Sequence, residues 1–240
     1  MGSIRKINRC SFQVIIQKQL YMKIKAIIFG ATGMVGEGVL HECLNHPEVE
    51  SVLVINRRPC GVQHNKLKEI IVKNLQDISE LSDQICGYNA CYFCAGVSSV
   101  GMKESEYRQI TYDLTMTVAN FLVKLNPEMV FCYISGLGTD SSEKARLMWA
   151  RIKGKTENDL MKLPFKAAYM LRPGFIQPTK GLKNAYKIYK VLTPFFPLFE
   201  ALFPSQVCKL SEIGNSMINV TLNGSEIKIL NCKDIRRLGK

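Results

Sequence analysis

Acidic residues are scarce in this chain of 240 residues, and none precedes Glu37. Twenty Asp and Glu face thirty-two Lys and Arg, which leaves a formal charge of +12. Such an excess calls for an anionic partner: nucleic acid, a membrane surface or a phosphorylated small molecule. No helix-turn-helix, zinc-finger or RNP-like signature accompanies the charge, so nucleic acid is not expected. Histidine is nearly missing as well. His41, His46 and His64 show no ligand spacing, and no metal site is expected. No apolar run reaches the roughly 20 residues that span a bilayer. With 47% hydrophobic and 22% charged residues, the composition excludes a disordered or fibrous chain.

Nine cysteines run from Cys10 to Cys232 without the spacing of a disulfide scaffold. That usage fits a reducing compartment, and the expectation is a cytoplasmic protein. Cys91 and Cys94 lie three apart in an apolar run, Ala90 to Ala95, that reads as a strand. Their side chains then face opposite ways, which excludes a shared metal or redox pair. Residues 1–21 carry Arg5, Lys6, Arg9 and Lys18 and no acid. They read as a poorly ordered extension, with a transit peptide as the alternative.

From Met22 onward, apolar runs alternate with helical spacing. Strands are expected at Lys23–Phe29, Ser51–Ile55, Lys68–Val72, Ala90–Ala95, Met129–Ser135 and Ala167–Leu171. Helices are expected at Val35–Leu44, about Glu104–Leu125 and Glu143–Met161. Continuous apolar strands between helices indicate a parallel sheet covered on both faces, an α/β doubly wound Rossmann fold. Residues 22–240 read as one domain, with a small substrate cap in about 175–225 where Pro178, Pro194, Pro197 and Pro204 interrupt the pattern.

The strongest motif is Gly30-Ala-Thr-Gly33-Met-Val-Gly36, which follows a predicted strand and opens a predicted helix. Gly30 permits a tight turn, Gly33 lets the backbone approach a pyrophosphate, and Gly36 allows close helix–strand packing. The helix N-terminus offers free amides and positive dipole to phosphates. The second strand ends not in the acid that holds an NAD ribose but in Asn56-Arg57-Arg58. Two guanidinium groups suit a 2′-phosphate, so NADP(H) is preferred, with NAD(H) the alternative.

The glycine spacing, Asn56-Arg-Arg, Cys94-Ala-Gly96, Ser135 and Arg172-Pro-Gly174 together resemble the short-chain dehydrogenase/reductase superfamily. The match is to its extended and atypical branches, the epimerase/dehydratase-like and Tat-interacting-protein reductase-like proteins. The resemblance implies that Gly30, Thr32, Gly33, Met34 and Val35 cradle the cofactor's phosphates. It places Ala95 and Gly96 along the ribose and Asn74 and Leu75 at the adenine. Pro173, Phe175 and Ile176 would then lie at the nicotinamide.

In that family a serine polarises the substrate carbonyl, and a tyrosine four residues before a lysine exchanges the proton. Ser135 and Lys153 occupy the expected places, but Trp149 stands where the tyrosine belongs. Indole N–H exchanges no proton near neutral pH, so Trp149 cannot serve as general acid or base. A missing acid removes about 10²–10⁴ of rate. Either another group protonates the substrate, or the reaction differs, or no reaction occurs. Tyr107, Tyr112 and Tyr133 are the replacements nearest in sequence, and Trp149 itself either stacks over a ligand or fills core.

Tyr186 to Phe203 is rich in aromatics and flanked by Lys180, Lys183, Lys187 and Lys190. A greasy lid over an apolar substrate, a homodimer contact, a membrane-surface contact and plain packing under the cap all fit it. The leading reading is an NADP-dependent oxidoreductase or epimerase on a small, apolar substrate. The alternative is a non-catalytic NADP(H)-binding sensor or interaction module.

Overall fold

A computed structural model describes residues 23–75, 78–184 and 196–240. The extension 1–21 and the aromatic positions Tyr186, Tyr189 and Phe195 lie outside the described residues.

The chain alternates strand and helix as β1 (Ile24–Phe29), α1 (Met34–Asn45), β2 (Val49–Asn56), β3 (Leu67–Ile71), α2 (Ser82–Ile85) and β4 (Ala90–Phe93). There follow α3 (Glu104–Arg108), α4 (Leu114–Leu125), β5 (Val130–Ile134), α5 (Met148–Lys162) and β6 (Ala167–Arg172). The remainder comprises β7 (Phe175–Gln177), α6 (Phe196–Leu202), β8 (Val207–Lys209), α7 (Leu210–Asn223), β9 (Ile229–Asn231) and α8 (Cys232–Leu238).

Among the described residues seven strands form one sheet in the order β3-β2-β1-β4-β5-β6-β9, every neighbouring pair parallel. The doubly wound Rossmann fold is therefore present. Alternation along β1 shows how both faces are used. Ile24, Ala26 and Ile28 pack into one apolar core with α1, α7 and α8, while Ile27 and Phe29 pack into a second with α4 and α5. Cys91 belongs to the second core and Cys94 packs on the first, the opposed orientation expected of them. Among the described residues no cysteine is paired in a disulfide, no acid, His or Cys trio could hold a metal, and no helix is long and apolar enough to cross a membrane.

The structure departs from the sequence pattern in three places. The helix expected from Glu143 begins only at Met148. Asp140 explains the delay: its carboxylate accepts the amides of Ser142, Lys144 and Ala145 at 2.7–3.0 Å, which folds that stretch into a turn and withholds those amides from a helix. The Ser142 hydroxyl, which donates to the same carboxylate, and then these amides hold the Asp140 carboxyl down at about 2. Secondly, the stretch read as a cap contributes α7 to the main layer. Gly214 abuts Glu42 of α1, and a Cβ added there would lie 2.6 Å from its Cγ, so the two helices cross at close range. β7 and β8 form a separate two-stranded parallel sheet, and α6 lies between them in the chain. Thirdly, residues Gln109–Asp113, between α3 and α4, form a wider π-type turn. Such turns concentrate at functional sites.

Candidate functional site

The glycine loop, Ala95-Gly96, Ser135 and Pro173 follow β1, β4, β5 and β6 respectively, at the carboxyl ends of the strands. The first two flank the β1/β4 position where the strand order reverses, the place at which open α/β sheets receive ligands.

Each loop glycine has a separate physical reason. Gly30 adopts φ +83°, and a Cβ there would lie 2.6 Å from the Ala95 amide nitrogen. A Cβ on Gly36 would lie 2.1 Å from the Gly30 carbonyl oxygen, so packing of helix on loop demands glycine. Gly33 differs. Its backbone is extended (φ −99°, ψ 163°) and its hypothetical Cβ meets only the Gly30 carbonyl, at an ordinary 3.5 Å. Gly96 has no neighbour within 4 Å of such a Cβ. The protein's own packing thus accounts for Gly30 and Gly36. It leaves the space beside Gly33 and Gly96 for something else.

That space is a groove in two connected parts. The first, about 450 Å³, is lined by Gly33, Met34, Val35, Gly96, Ser135 and Lys153 among others, with Pro173 and Ile176 at its far end. The second, about 350 Å³, is lined by Arg57, Asn74, Leu75, Gln109, Ile110 and Leu114, and shares Ala95, Gly96 and Val97 with the first. The π-type turn supplies Gln109 and Ile110, residues that sequence reading missed. Their sole signal was helical spacing after the fourth strand. Arg57 and Arg58 are exposed and make no ion pair among the described residues.

Several positions depart from what the resemblance implied. Asn56 is buried and donates to Glu69 Oε1 at 3.2 Å, bracing the end of β2 rather than facing the groove. Gly30, Thr32 and Arg58 are not among the groove-lining residues; Gly30 is instead packed against Ala95. Phe175 lines a neighbouring cavity instead of the groove.

That neighbouring cavity, about 520 Å³, shares Ser135, Gly136, Lys153 and Pro173 with the groove. Its other walls are largely apolar: Leu137, Trp149, Phe175, Phe199, Phe203 and Val207, with Gln206 as a polar exception. Phe175 stacks against Phe199 with ring centroids 5.4 Å apart, tying β7 to α6. Trp149 lines the cavity and brings its ring edge against Gly138.

Ser135 and Lys153 meet at the junction of groove and cavity. Lys153 Nζ donates to the Ser135 backbone carbonyl. Desolvation holds its ammonium below the usual lysine range, at about 8, while the Glu157 carboxylate one turn along α5 pulls the other way. Ser135 Oγ donates to the Leu171 carbonyl at 3.0 Å. A carbonyl can only accept, so the hydroxyl offers lone pairs to the cavity until a χ1 rotation frees its proton. Glu157 is itself fully buried and forms a two-pronged pair with Arg172, whose Nε lies 3.0 Å from Oε1. Arg172 thereby fastens β6 to α5 and fixes the height of Lys153 above the sheet.

The tyrosines that could replace the missing acid are elsewhere. Tyr112 donates its hydroxyl to Asp159 at 2.7 Å. Tyr133 is buried among aromatics on the second core face. Tyr107 is buried beside Thr111. Burial pushes all three phenols up, and none lines the groove or the cavity. Among the described residues Lys153 is the one ionisable side chain lining the substrate-sized cavity.

The groove fits a dinucleotide on these observations: two glycines whose vacancy the fold does not need, a helix N-terminus at the loop, and the exposed Arg57 among its lining residues, with no ion pair among the described residues. Comparison with known proteins agrees. Residues 26–141 match the NAD dependent epimerase/dehydratase family. The chain is 25% identical over 226 residues to Protein FMP52, mitochondrial, of Eremothecium gossypii, covering 90% of this chain and 98% of that protein. Its fold resembles ADP-L-glycero-D-manno-heptose-6-epimerase of Helicobacter pylori (TM-score 0.63, 13% identity, 90% and 81% of the chains covered). It also resembles WbmF of Bordetella bronchiseptica in complex with NAD+ (TM-score 0.64, 12% identity, 91% and 78% covered). The mitochondrial relatives overturn the cytoplasmic expectation. Reduced cysteines report a reducing environment without saying which compartment provides it. The chain thus carries a Rossmann fold whose glycine loop and strands β2 to β5 fall within the stretch that matches the NAD dependent epimerase/dehydratase family.

Proposed function

We propose that this protein is an NADP(H)-dependent oxidoreductase that interconverts a small apolar carbonyl compound and its alcohol, and that it works in mitochondria. The observation that carries the reading is the junction at Ser135 and Lys153, where the dinucleotide-shaped groove opens into an apolar cavity. Sugar epimerisation is less well served. A sugar's many hydroxyls need many polar partners, and this cavity supplies Ser135, Gln206 and Lys153 against a wall of aromatic and aliphatic groups.

Bound in the groove, the dinucleotide would supply or take up a hydride. The chain's own residues do the rest. The Gly33 backbone and the α1 N-terminus hold phosphate oxygens. Arg57 and Arg58 prefer a phosphorylated ribose. Ser135, once rotated away from Leu171, polarises the substrate carbonyl. Lys153 holds the proton that the developing alkoxide needs, in place of the absent tyrosine. Phe175, Phe199 and Trp149 exclude water from the reacting carbon.

The test is a panel of apolar aldehydes and ketones with NADPH, using the wild type, Lys153→Met and Trp149→Tyr. Turnover abolished in Lys153→Met supports the proposal. Turnover raised at least tenfold in Trp149→Tyr shows that the pocket is short of a proton donor. NADPH binding without turnover in any of the three favours the second reading, a non-catalytic NADP(H) sensor, for which Trp149 at the tyrosine position is the specific argument. Mitochondrial residence rests on the relatives' names. Fractionation of cells expressing the full chain, and the chain without its basic, acid-free residues 1–21, checks it directly.

A further inference from the structure

The +12 charge is only partly used by the groove. A second concentration lies at α8, where Lys233, Arg236 and Arg237 recur at helical i, i+3, i+4 spacing on one face and Lys240 follows just beyond the helix end. Like charges at that spacing repel. The cations line a cleft of about 490 Å³ with Pro204 and Ser205. Asp234 approaches Arg237 at 3.6 Å in an exposed pair, and Lys233 and Lys240 have no carboxylate partner among the described residues.

The cleft is built rather than incidental to a loose surface. Arg236 Nη1 donates to the Pro204 carbonyl at 3.1 Å, fixing α8 against the turn 203–206. The same turn closes on itself through Gln206 N–H to Phe203 O at 2.9 Å. Gln206 O in turn accepts from Phe175 N–H at 2.8 Å. Phe203 and Gln206 look into the apolar cavity, whereas Pro204 and Ser205 look into the cationic cleft. The two spaces are thus separated by one turn, and the cleft shares no lining residue with the dinucleotide groove.

We propose that this cleft is a binding site for a phosphate-bearing ligand, seated on the reverse side of the turn that walls the substrate cavity. Arginine forks match phosphate oxygens in pairs, lysines at either end add point charge, and Ser205 supplies a hydroxyl at the rim. An occupant that draws on Arg236 acts on its anchor to Pro204, one residue from Phe203 in the cavity wall.

The experiment uses the full chain and does not depend on the cofactor reading. Inorganic pyrophosphate is titrated calorimetrically into the protein alone and into protein pre-mixed with excess NADPH. It is repeated with Lys233→Ala/Lys240→Ala and with Arg57→Ala/Arg58→Ala. Lys233 and Lys240 are exposed, so an unchanged melting temperature verifies that the first variant is folded. The expected result is binding that survives NADPH, weakens about tenfold or more in Lys233→Ala/Lys240→Ala, falls with added salt and is indifferent to Arg57→Ala/Arg58→Ala. Absence of pyrophosphate binding overturns the proposal, as does binding that the cleft variant leaves intact or the groove variant abolishes. Failure of NADPH itself to bind counts against the cofactor assignment alone, because the cleft variant still reads out in its absence. Vesicles of phosphatidylcholine with and without phosphatidic acid then assign the source. Co-sedimentation that requires phosphatidic acid and is reversed by pyrophosphate identifies a lipid headgroup. Pyrophosphate binding without co-sedimentation identifies a soluble phosphate.

Discussion

Alanine at Gly33 and alanine at Gly36 should fail in opposite ways, and the contrast separates the fold from the ligand. At Gly36 the new methyl would sit 2.1 Å from the Gly30 carbonyl oxygen and 2.6 Å from its carbon, both backbone atoms. Real Cβ atoms do not approach so closely, so α1 must retreat from the loop. Overpacking of this kind costs about 1–3 kcal/mol, against a gain of about 0.5–1 kcal/mol from replacing glycine in a helix. A net loss of about 1–2 kcal/mol lowers Tm by roughly 2–8 °C in a domain of this size. At Gly33 the methyl meets nothing nearer than 3.5 Å and the backbone is already extended. Melting should move by roughly 2 °C or less, the few tenths of a kcal/mol expected at an N-cap. NADPH affinity should nonetheless fall steeply, because the methyl occupies the pyrophosphate's approach. Differential scanning calorimetry and fluorescence titration of NADPH on the two variants read both quantities. Gly33→Ala that binds NADPH normally, or that melts as low as Gly36→Ala, would refute the argument that Gly33 is kept open for a ligand.

Further expectations concern Arg172 and Lys153. Arg172→Met strands the fully buried Glu157 carboxylate and should cost about 3–5 kcal/mol, a Tm drop of roughly 6–20 °C, whereas Arg172→Met/Glu157→Met should recover most of it; equal losses in both would contradict the pairing. Lys153 is protonated below about 8 and neutral above it. Carbonyl reduction consumes that proton, so kcat/KM for reduction should fall as pH rises through about 8 and alcohol oxidation should rise; a flat profile would remove Lys153 from the proton path.

Much of the sheet was readable because strands buried on both faces become unbroken apolar runs, as in Ile24–Phe29 and Ala90–Phe93, and the glycine loop announced itself by following one of them. The late start of α5 was not readable. Glu143 to Leu147 has helical composition, and only the Asp140 carboxylate, gathering three amides, turns it into a loop. Nor was the role of α7, since the prolines upstream suggested a cap where the helix in fact completes the core under α1. The groove's first half comes from short local motifs and could be named residue by residue. The apolar cavity joins Leu137 and Trp149 to Phe199 and Gln206, two stretches separated by fifty residues, and no spacing in the chain links them. The cations of α8 stood out in the sequence only as part of the +12 total, and Pro204 and Ser205, which line the cleft with them, come from another segment.

The central claim is that the groove takes a dinucleotide and that Arg57 and Arg58 select its 2′-phosphate. Equilibrium titration of NADPH and NADH into the wild type and Arg57→Ala/Arg58→Ala tests it most directly. The account predicts tighter binding of NADPH than of NADH in the wild type, by roughly 10- to 100-fold for two solvent-exposed charge-assisted contacts, and near-equal binding in the double variant. Binding of neither nucleotide to the wild type would contradict it.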